Sequence, residues 1–254
     1  MNDFFDKIFV INLQRSSERR DYIHKIMSDF HVEFEFIEAV DGQELFPTFE
    51  SIQEFWLENS FQCELELYDS ALDYHPNWFP NQGQLGCWFS HKKIWQKVVD
   101  ENISTCLILE DDISFNLPDE SKSFSDNFND YTNALPSDWT VFMLGYGGGP
   151  TNIVNDHISQ LWHPSWTHAY ALKPIAAEAL LHFSQPMRYA LDYFTGAMFF
   201  ANATDRQKDH FYTRWDTNAC NNSHFDFSLL SNIQGYASST PLFHQGGGFP
   251  SNIN

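Results

Sequence analysis

Three consecutive carboxylates, Glu110-Asp111-Asp112, follow directly on the apolar run Cys106-Leu107-Ile108-Leu109. A continuous apolar run of this kind suits a buried strand, and in an open α/β sheet the carboxyl ends of the strands line the ligand crevice. Hard divalent cations such as Mg²⁺ or Mn²⁺ take oxygen ligands from one or two carboxylates and keep other positions open for phosphate oxygens. Two adjacent aspartates at a strand end therefore offer a cation seat against a diphosphate, where the ion serves as Lewis acid and template. Taken alone, three acids read more simply as a solvated strand end or a local turn cap. The elements around them have to decide between the two.

Those elements read as α/β. Lys7 to Leu13 is a short apolar, β-rich run that ends at Asn12 and the turn-forming Arg15-Ser16-Ser17. From Glu18 onward Tyr22, Ile23, Ile26, Met27 and Phe30 recur at helical spacing, with Ser16 or Ser17 placed to cap. Val32, Phe34 and Phe36 alternate with Glu33 and Glu35, predicting a second strand that runs into the turn Ala39-Val40-Asp41-Gly42. Strand, helix and strand in this order fit a right-handed crossover and a parallel sheet. Further helices are expected over 49–57, from about Gly83 to Val99, and from Pro174 to Leu181, with strands at 106–109, 139–144 and 167–172. The stretch 74–80 reads as a loop, Gly145 to Pro150 as a mobile flap, and strand-like runs recur near 196–201 and 236–243. No internal repeat or long linker divides the chain, so one domain over 1–254 is expected.

Composition excludes several roles. Among 254 residues, 14 Lys and Arg stand against 34 Asp and Glu, and the net charge of −20 repels nucleic acid and anionic lipid alike. A hydrophobic content of 43%, with 17% aromatic, is that of a folded protein rather than a disordered one. Cys63, Cys87, Cys106 and Cys220 form no CxxC pair and read as reduced and mostly buried. With neither a leader pattern nor an apolar stretch near the ~20 residues that cross a bilayer, the expected location is the cytoplasm. The chain has no Walker loop, serine elbow or dinucleotide-binding glycine fingerprint. Arg15, Arg19 and Arg20 are its densest basic patch; a diphosphate or ribose site explains them, while Arg19 reads more plainly as a helix-surface charge beside Glu18 and Asp21.

Four segments in register sharpen the reading. Val10-Ile11-Asn12-Leu13-x-Arg15-Ser16-x-x-Arg19-Arg20, Ala39-Val40-Asp41-Gly42, Gly83-Gln84-Leu85-Gly86-Cys87-x-x-Ser90-His91 and Leu107 to Asp112 resemble, in order and spacing, glycosyltransferase family 25. That family includes bacterial lipooligosaccharide galactosyltransferases and collagen hydroxylysine galactosyltransferases. The likeness is strong over about 7–112 and fainter through Ala169 to Leu172, Asp192 and Pro241 to Ile253. Gln84 stands where the family usually carries glutamate, and much of the carboxyl-terminal half does not match.

The resemblance implies a GT-A fold, a Rossmann-like nucleotide-binding sheet flanked by helices, with a nucleotide-sugar half over 1–115 and an acceptor-side half over 116–254. It implies inverting transfer of a hexose, galactose first and glucose next, from a UDP-sugar to a hydroxyl of a glycan or a hydroxylated protein side chain. On that likeness Asp112, with Asp111, holds Mn²⁺ (or Mg²⁺) against the diphosphate. Asn12, Leu13, Arg15 and Arg20 lie where the nucleotide sits, Asp41 approaches uracil or ribose, and Ser90 and His91 line the donor pocket. His244 is a candidate late metal ligand. Inversion needs a base for the acceptor hydroxyl, and Glu110 and Asp192 are the candidates. Two alternatives remain at this point: a glycosidase using two carboxylates about 5–10 Å apart, without metal or nucleotide, and a non-catalytic glycan- or nucleotide-binding protein that keeps the fold.

Overall fold

The computed structural model describes residues 1–59, 81–148, 150–161, 165–184, 191, 198–199, 227–246 and 248–249. Its centre is an eight-stranded sheet built from β1 (Lys7–Asn12), β2 (Glu35–Glu38), β3 (Cys106–Glu110), β5 (Val141–Gly147), β6 (Pro150–Ile153), β7 (Ile158–Leu161), β8 (Ser165–Leu172) and β9 (Gly235–Ser238). The spatial order is β2-β1-β3-β8-β5-β9-β7-β6. As the first strand-helix-strand unit predicts, β1 pairs in parallel with β2, and it also pairs in parallel with β3. The sheet is nonetheless mixed: β8 runs antiparallel between β3 and β5. A second, two-stranded sheet pairs β4 (Ile113–Phe115) with β10 (Phe243–Gln245).

Alternation along the strands makes two cores. Phe9, Ile11, Ile108, Met143 and Tyr170 face one side of the sheet. There they pack on α3 (Phe49–Asn59), α4 (Gln82–Asp100) and α6 (Pro174–Phe183) through Ile52, Leu85, Trp88, Trp95 and Leu180. Ile8, Val10, Leu107, Leu109, Phe142 and Ala169 face the other side. They meet α1 (Ser17–Asp29) through Ile23 and Met27, and α5 (Phe124–Ala134) through Phe128 and Tyr131. Helices thus cover both faces of the sheet, the α/β arrangement that the resemblance implies. The central strands read as unbroken apolar runs because both of their faces are buried.

Several elements differ from expectation. The second strand begins at Glu35, so Val32 and Phe34 precede it. β5 does not stop at Leu144 but continues, buried, through Gly145, Tyr146 and Gly147. Register shifts at these glycines accommodate the bulges, and the Tyr146 hydroxyl donates to the Ser238 carbonyl at 2.6 Å. The expected flap is therefore largely strand. Ser16 sits at the N-cap of α1 without a side-chain cap bond. The loop at 74–80 and most of the run at 196–201 lie outside the described residues.

A short helix, α2 (Gly42–Leu45), follows the turn at Asp41, and its glycine explains a spacing in the sequence. Gly42 and Gly86 bring the turn and the first turn of α4 into backbone contact; a Cβ on Gly86 would stand 2.6 Å from the Val40 carbonyl oxygen and 2.8 Å from the Gly42 nitrogen. Backbone cannot yield as a flexible side chain can. Gly86→Ala is therefore expected to cost about 1–3 kcal/mol, read as a lower urea midpoint at unchanged slope. Gln84 stabilises the same corner: its amide oxygen accepts from the Asn81 nitrogen at 2.9 Å, while the Asn81 side chain accepts from the Gln84 nitrogen at 2.8 Å. This reciprocal cap works with an amide as with a carboxylate.

Candidate active site

β1 lies between β2 and β3, so the chain departs in opposite directions from the β1/β3 boundary. Ligand crevices open at such switch points, beyond the carboxyl ends of the strands. A solvent-open cleft of about 630 Å³ lies there. Its lining includes Leu13, Arg15 and Arg19 after β1, Asp41 and Gln43 after β2, Cys87, Ser90 and His91 from α4, and Glu110, Asp111 and Asp112 after β3.

Each wall is held by identifiable bonds. Asn12 is buried, and its amide nitrogen donates to Asp111 Oδ2 at 2.8 Å. Its backbone carbonyl accepts from the Ala39 nitrogen at 2.9 Å, tying the second wall to the first. Ser90 is fully buried; its hydroxyl donates to the Gly86 carbonyl at 2.6 Å and accepts from the Val40 nitrogen at 2.8 Å. Asn12 and Ser90 are thus positioning residues. Asp41 accepts from the Gln43 nitrogen at 3.0 Å and pairs with Arg15 at the cleft mouth. Arg20 is exposed, lies outside the lining, stacks 4.0 Å over the Phe36 ring, and reaches Asn12 Oδ1 at 3.4 Å.

Arg19 departs most from the sequence reading. It is buried, with Nη1 2.5 Å from Asp111 Oδ1 and 3.6 Å from Asp112 Oδ2. The signal was present: Arg19, Ile23 and Met27 are the buried positions of α1, one helical turn apart, so Arg19 extends the apolar stripe rather than the polar face. Both Asp111 oxygens are consumed, one by Asn12 and one by Arg19. Asp112 differs. It is buried, and its Oδ1 has no hydrogen-bond partner among the described residues. Burial and then the charge of Glu110 raise its pKa to about 6; Arg19 opposes them, and Asp111 adds a lesser push upward. Burial likewise raises Asp111, opposed by Arg19 and Asn12.

A buried chain of polar groups sets the other side. Trp95 Nε1 donates to the Tyr170 hydroxyl at 2.8 Å, and that oxygen lies 2.8 Å from His91 Nδ1. Burial holds the Tyr170 phenol far above its ordinary pKa, so it stays protonated and can donate to Nδ1. The imidazole proton then belongs on Nε2, which faces Glu110 Oε1 at 3.4 Å without closing a hydrogen bond. Thr167 reaches the same oxygen at 3.4 Å. Burial pushes the Glu110 carboxyl up, but His91, His168 and Thr167 outweigh it and hold the pKa below the ordinary value. Glu110 is accordingly ionised at neutral pH. Cys87 lines the cleft and Cys106 is buried; Cys63, Cys220 and Asp192 lie outside the described residues.

His244 is exposed on β10, opposite Ser114, and does not line the cleft. The tail nonetheless reaches the acids, since the Gly246 nitrogen donates to the Asp112 carbonyl at 2.9 Å. The structure thus gathers Leu13, Arg15, Asp41, Ser90, His91, Glu110, Asp111 and Asp112 around one cleft, supports them with Asn12, and sets Arg20 and His244 at its margin.

The sequence profile of glycosyltransferase family 25, described as an LPS biosynthesis protein family, matches residues 5–142. The chain belongs to glycosyltransferase family 25. The human protein named procollagen galactosyltransferase 2 is 28% identical over 144 residues, covering 56% of this chain and 21% of the relative. Human inactive glycosyltransferase 25 family member 3 is 28% identical over 233 residues, covering 83% of this chain and 34% of the relative. The chain therefore spans about a fifth to a third of the length of these relatives. A solved glycosyltransferase involved in glycosylation of the major capsid of PBCV-1 covers 96% of this chain and 93% of its own, at 9% identity and a TM-score of 0.36, too distant to bear on mechanism. Membership of a glycosyltransferase family argues against the glycosidase alternative. Among the described residues no helix is long and apolar enough to cross a membrane.

Proposed function

We propose that this family 25 chain is a metal-dependent, inverting hexosyltransferase that moves galactose, or next glucose, from a UDP-sugar to a hydroxyl of a glycan or a hydroxylated protein side chain, in the cytoplasm. The observation that carries this reading is Asp112 Oδ1, a buried carboxylate oxygen without a partner among the described residues, in a cleft at the sheet's switch point. A buried ionised oxygen is costly unless a cation or donor meets it. An oxygen of this kind fits Mn²⁺ or Mg²⁺, which need few protein ligands when phosphates and water supply the rest. When bound, the ion would supply Lewis-acid stabilisation of the charge that develops on the diphosphate as the bond to the sugar breaks.

The chain's own residues have separable tasks in this reading. Asp112 holds the cation. Asp111 is kept by Asn12 and Arg19 as part of the wall, so it sets the position of Asp112 rather than acting as an open ligand. Asp41 and Arg15, at the mouth, are placed for the ribose and base. Glu110, ionised and oriented by His91 and Thr167, takes the proton of the acceptor hydroxyl as that oxygen bonds to the anomeric carbon and UDP leaves with the electron pair.

A second reading keeps nucleotide binding without turnover; similarity over 83% of the chain to a relative named an inactive family member favours it. A panel of UDP-sugars assayed for UDP release separates the two. The transferase reading expects slow hydrolysis of one donor with Mn²⁺, abolished by EDTA. Binding of UDP with no release from any donor, in the presence of glycan and hydroxylysyl acceptors, assigns the second.

A further inference from the structure

We propose that Cys87, His91 and Glu110 form a second metal site, distinct from the oxygen site at Asp112 and suited to Zn²⁺. Their ligand atoms all lie within 4.8 Å of one another, and among the described residues they are the grouping of three such side chains. Cys87 and His91 are four residues apart on α4, so they project from the same helical face. Glu110 meets them from the end of β3. His91 is fully buried, and its Nε2, facing Glu110 at 3.4 Å, has no hydrogen-bond partner among the described residues. That buried nitrogen, aimed into the cluster, is an observation independent of residue type.

The donor set selects the metal. A soft thiolate and an imidazole beside one carboxylate make a mixed S/N/O donor set that suits Zn²⁺, unlike the all-oxygen set that Mg²⁺ or Mn²⁺ takes at Asp112. Tetrahedral Zn²⁺ bonds of 2.0–2.3 Å place ligand atoms roughly 3.5 Å apart, so the three atoms close by about an ångström from their present limit. All three residues line the cleft, which leaves a fourth position for water or a ligand. The outer shell is already in place. Tyr170 lies 2.8 Å from His91 Nδ1, and Thr167 lies 3.4 Å from the Glu110 carboxylate. Binding moves the imidazole proton to Nδ1, where the Tyr170 oxygen accepts it, and releases the Cys87 thiol proton to solvent. The sulfur–metal bond forms without any change of oxidation state.

The site shares Glu110 with the proposed transferase machinery, but its occupancy does not depend on turnover. Co²⁺ is the probe, added to the full-length, reduced, metal-free chain, because thiolate ligation gives a sulfur-to-cobalt charge-transfer band and tetrahedral geometry gives intense visible bands. One Co²⁺ per chain with both features, displaced by one Zn²⁺, is expected. Cys87→Ser, a near-isosteric change at a half-buried position, is expected to lose the charge-transfer band. Asp112→Asn is expected to retain it, which keeps this test separate from the transferase reading. Absence of the band in the wild-type chain, its persistence in Cys87→Ser, or its loss in Asp112→Asn would each overturn the assignment.

Discussion

Asp112→Asn is expected to cut donor turnover by at least about a thousandfold while making the metal-free protein more stable at pH 8. The first effect follows from losing a cation whose charge stabilisation is worth several kcal/mol, at about 1.4 kcal/mol per tenfold in rate. The second follows from the Asp112 pKa, raised from 3.8 in the unfolded chain to about 6 in the fold by burial and by Glu110. A raised carboxyl favours folding only while it is protonated. Its contribution is full below pH 3.8, declines as pH rises through 6, and by pH 8 the ionised carboxylate has cost up to about 3 kcal/mol at 1.36 kcal/mol per unit. Asparagine has no such charge. Urea unfolding in EDTA should therefore show the variant ahead by roughly 1–3 kcal/mol at pH 8, with the gap closing near pH 4. Mn²⁺ should stabilise the wild type and leave the variant unmoved. A variant no more stable than wild type at pH 8 would mean that the buried oxygen carries no charge penalty.

Arg19→Ala is expected to lower stability by about 3–5 kcal/mol, the usual cost of removing one partner from a buried ion pair. Asp111, itself buried, loses its closest cation and keeps only the Asn12 amide. The deficit should shrink toward acid, because the stranded carboxyl is then protonated, and grow as pH rises. Arg19→Lys should recover only part of the loss, since an ammonium cannot reproduce a planar guanidinium held between Asp111 and Asp112. Denaturant midpoints at pH 4.5 and pH 8 check both statements. A surface arginine paired with Glu18 and Asp21 would instead be worth well under 1 kcal/mol.

The contrast at Arg19 shows where sequence reasoning stops. Strands such as Cys106 to Glu110 are legible because burial on both faces leaves an unbroken apolar run, and the acids at its end are legible because a strand end is where a sheet opens. α1 and α4 are legible from their apolar stripes. The helix α5 carried the same kind of signal, in Phe124, Phe128 and Tyr131 behind the capping Ser123, yet its many Asn and Asp residues mask it. β4, β6 and β7 are three or four residues long, too short to show a period; β4 and β7 also pair with distant strands, while β6 forms a hairpin with β7. Glycines at 145 and 147 read as a loop, although in a bulged strand they are tolerated. Within the site, residue types were legible and partnerships were not. Asn12 and Asp111 are 99 positions apart, and only the pairing of β1 with β3 makes one hold the other. The same long-range folding gives the cleft-lining Ser90 and Asp111 their bonds to the walls, and leaves Asp112 with the open oxygen.

The central claim is that this cleft holds a nucleoside diphosphate through a cation seated on Asp112. Calorimetric titration of UDP into the wild-type protein with Mn²⁺, with EDTA, and into Asp112→Asn with Mn²⁺ tests it most directly. The account predicts saturable binding at one site per chain in the first case, and at least about tenfold weaker binding, a difference of 1.4 kcal/mol, in the other two. Equal UDP affinity in all three, or no binding with Mn²⁺ present, would contradict it.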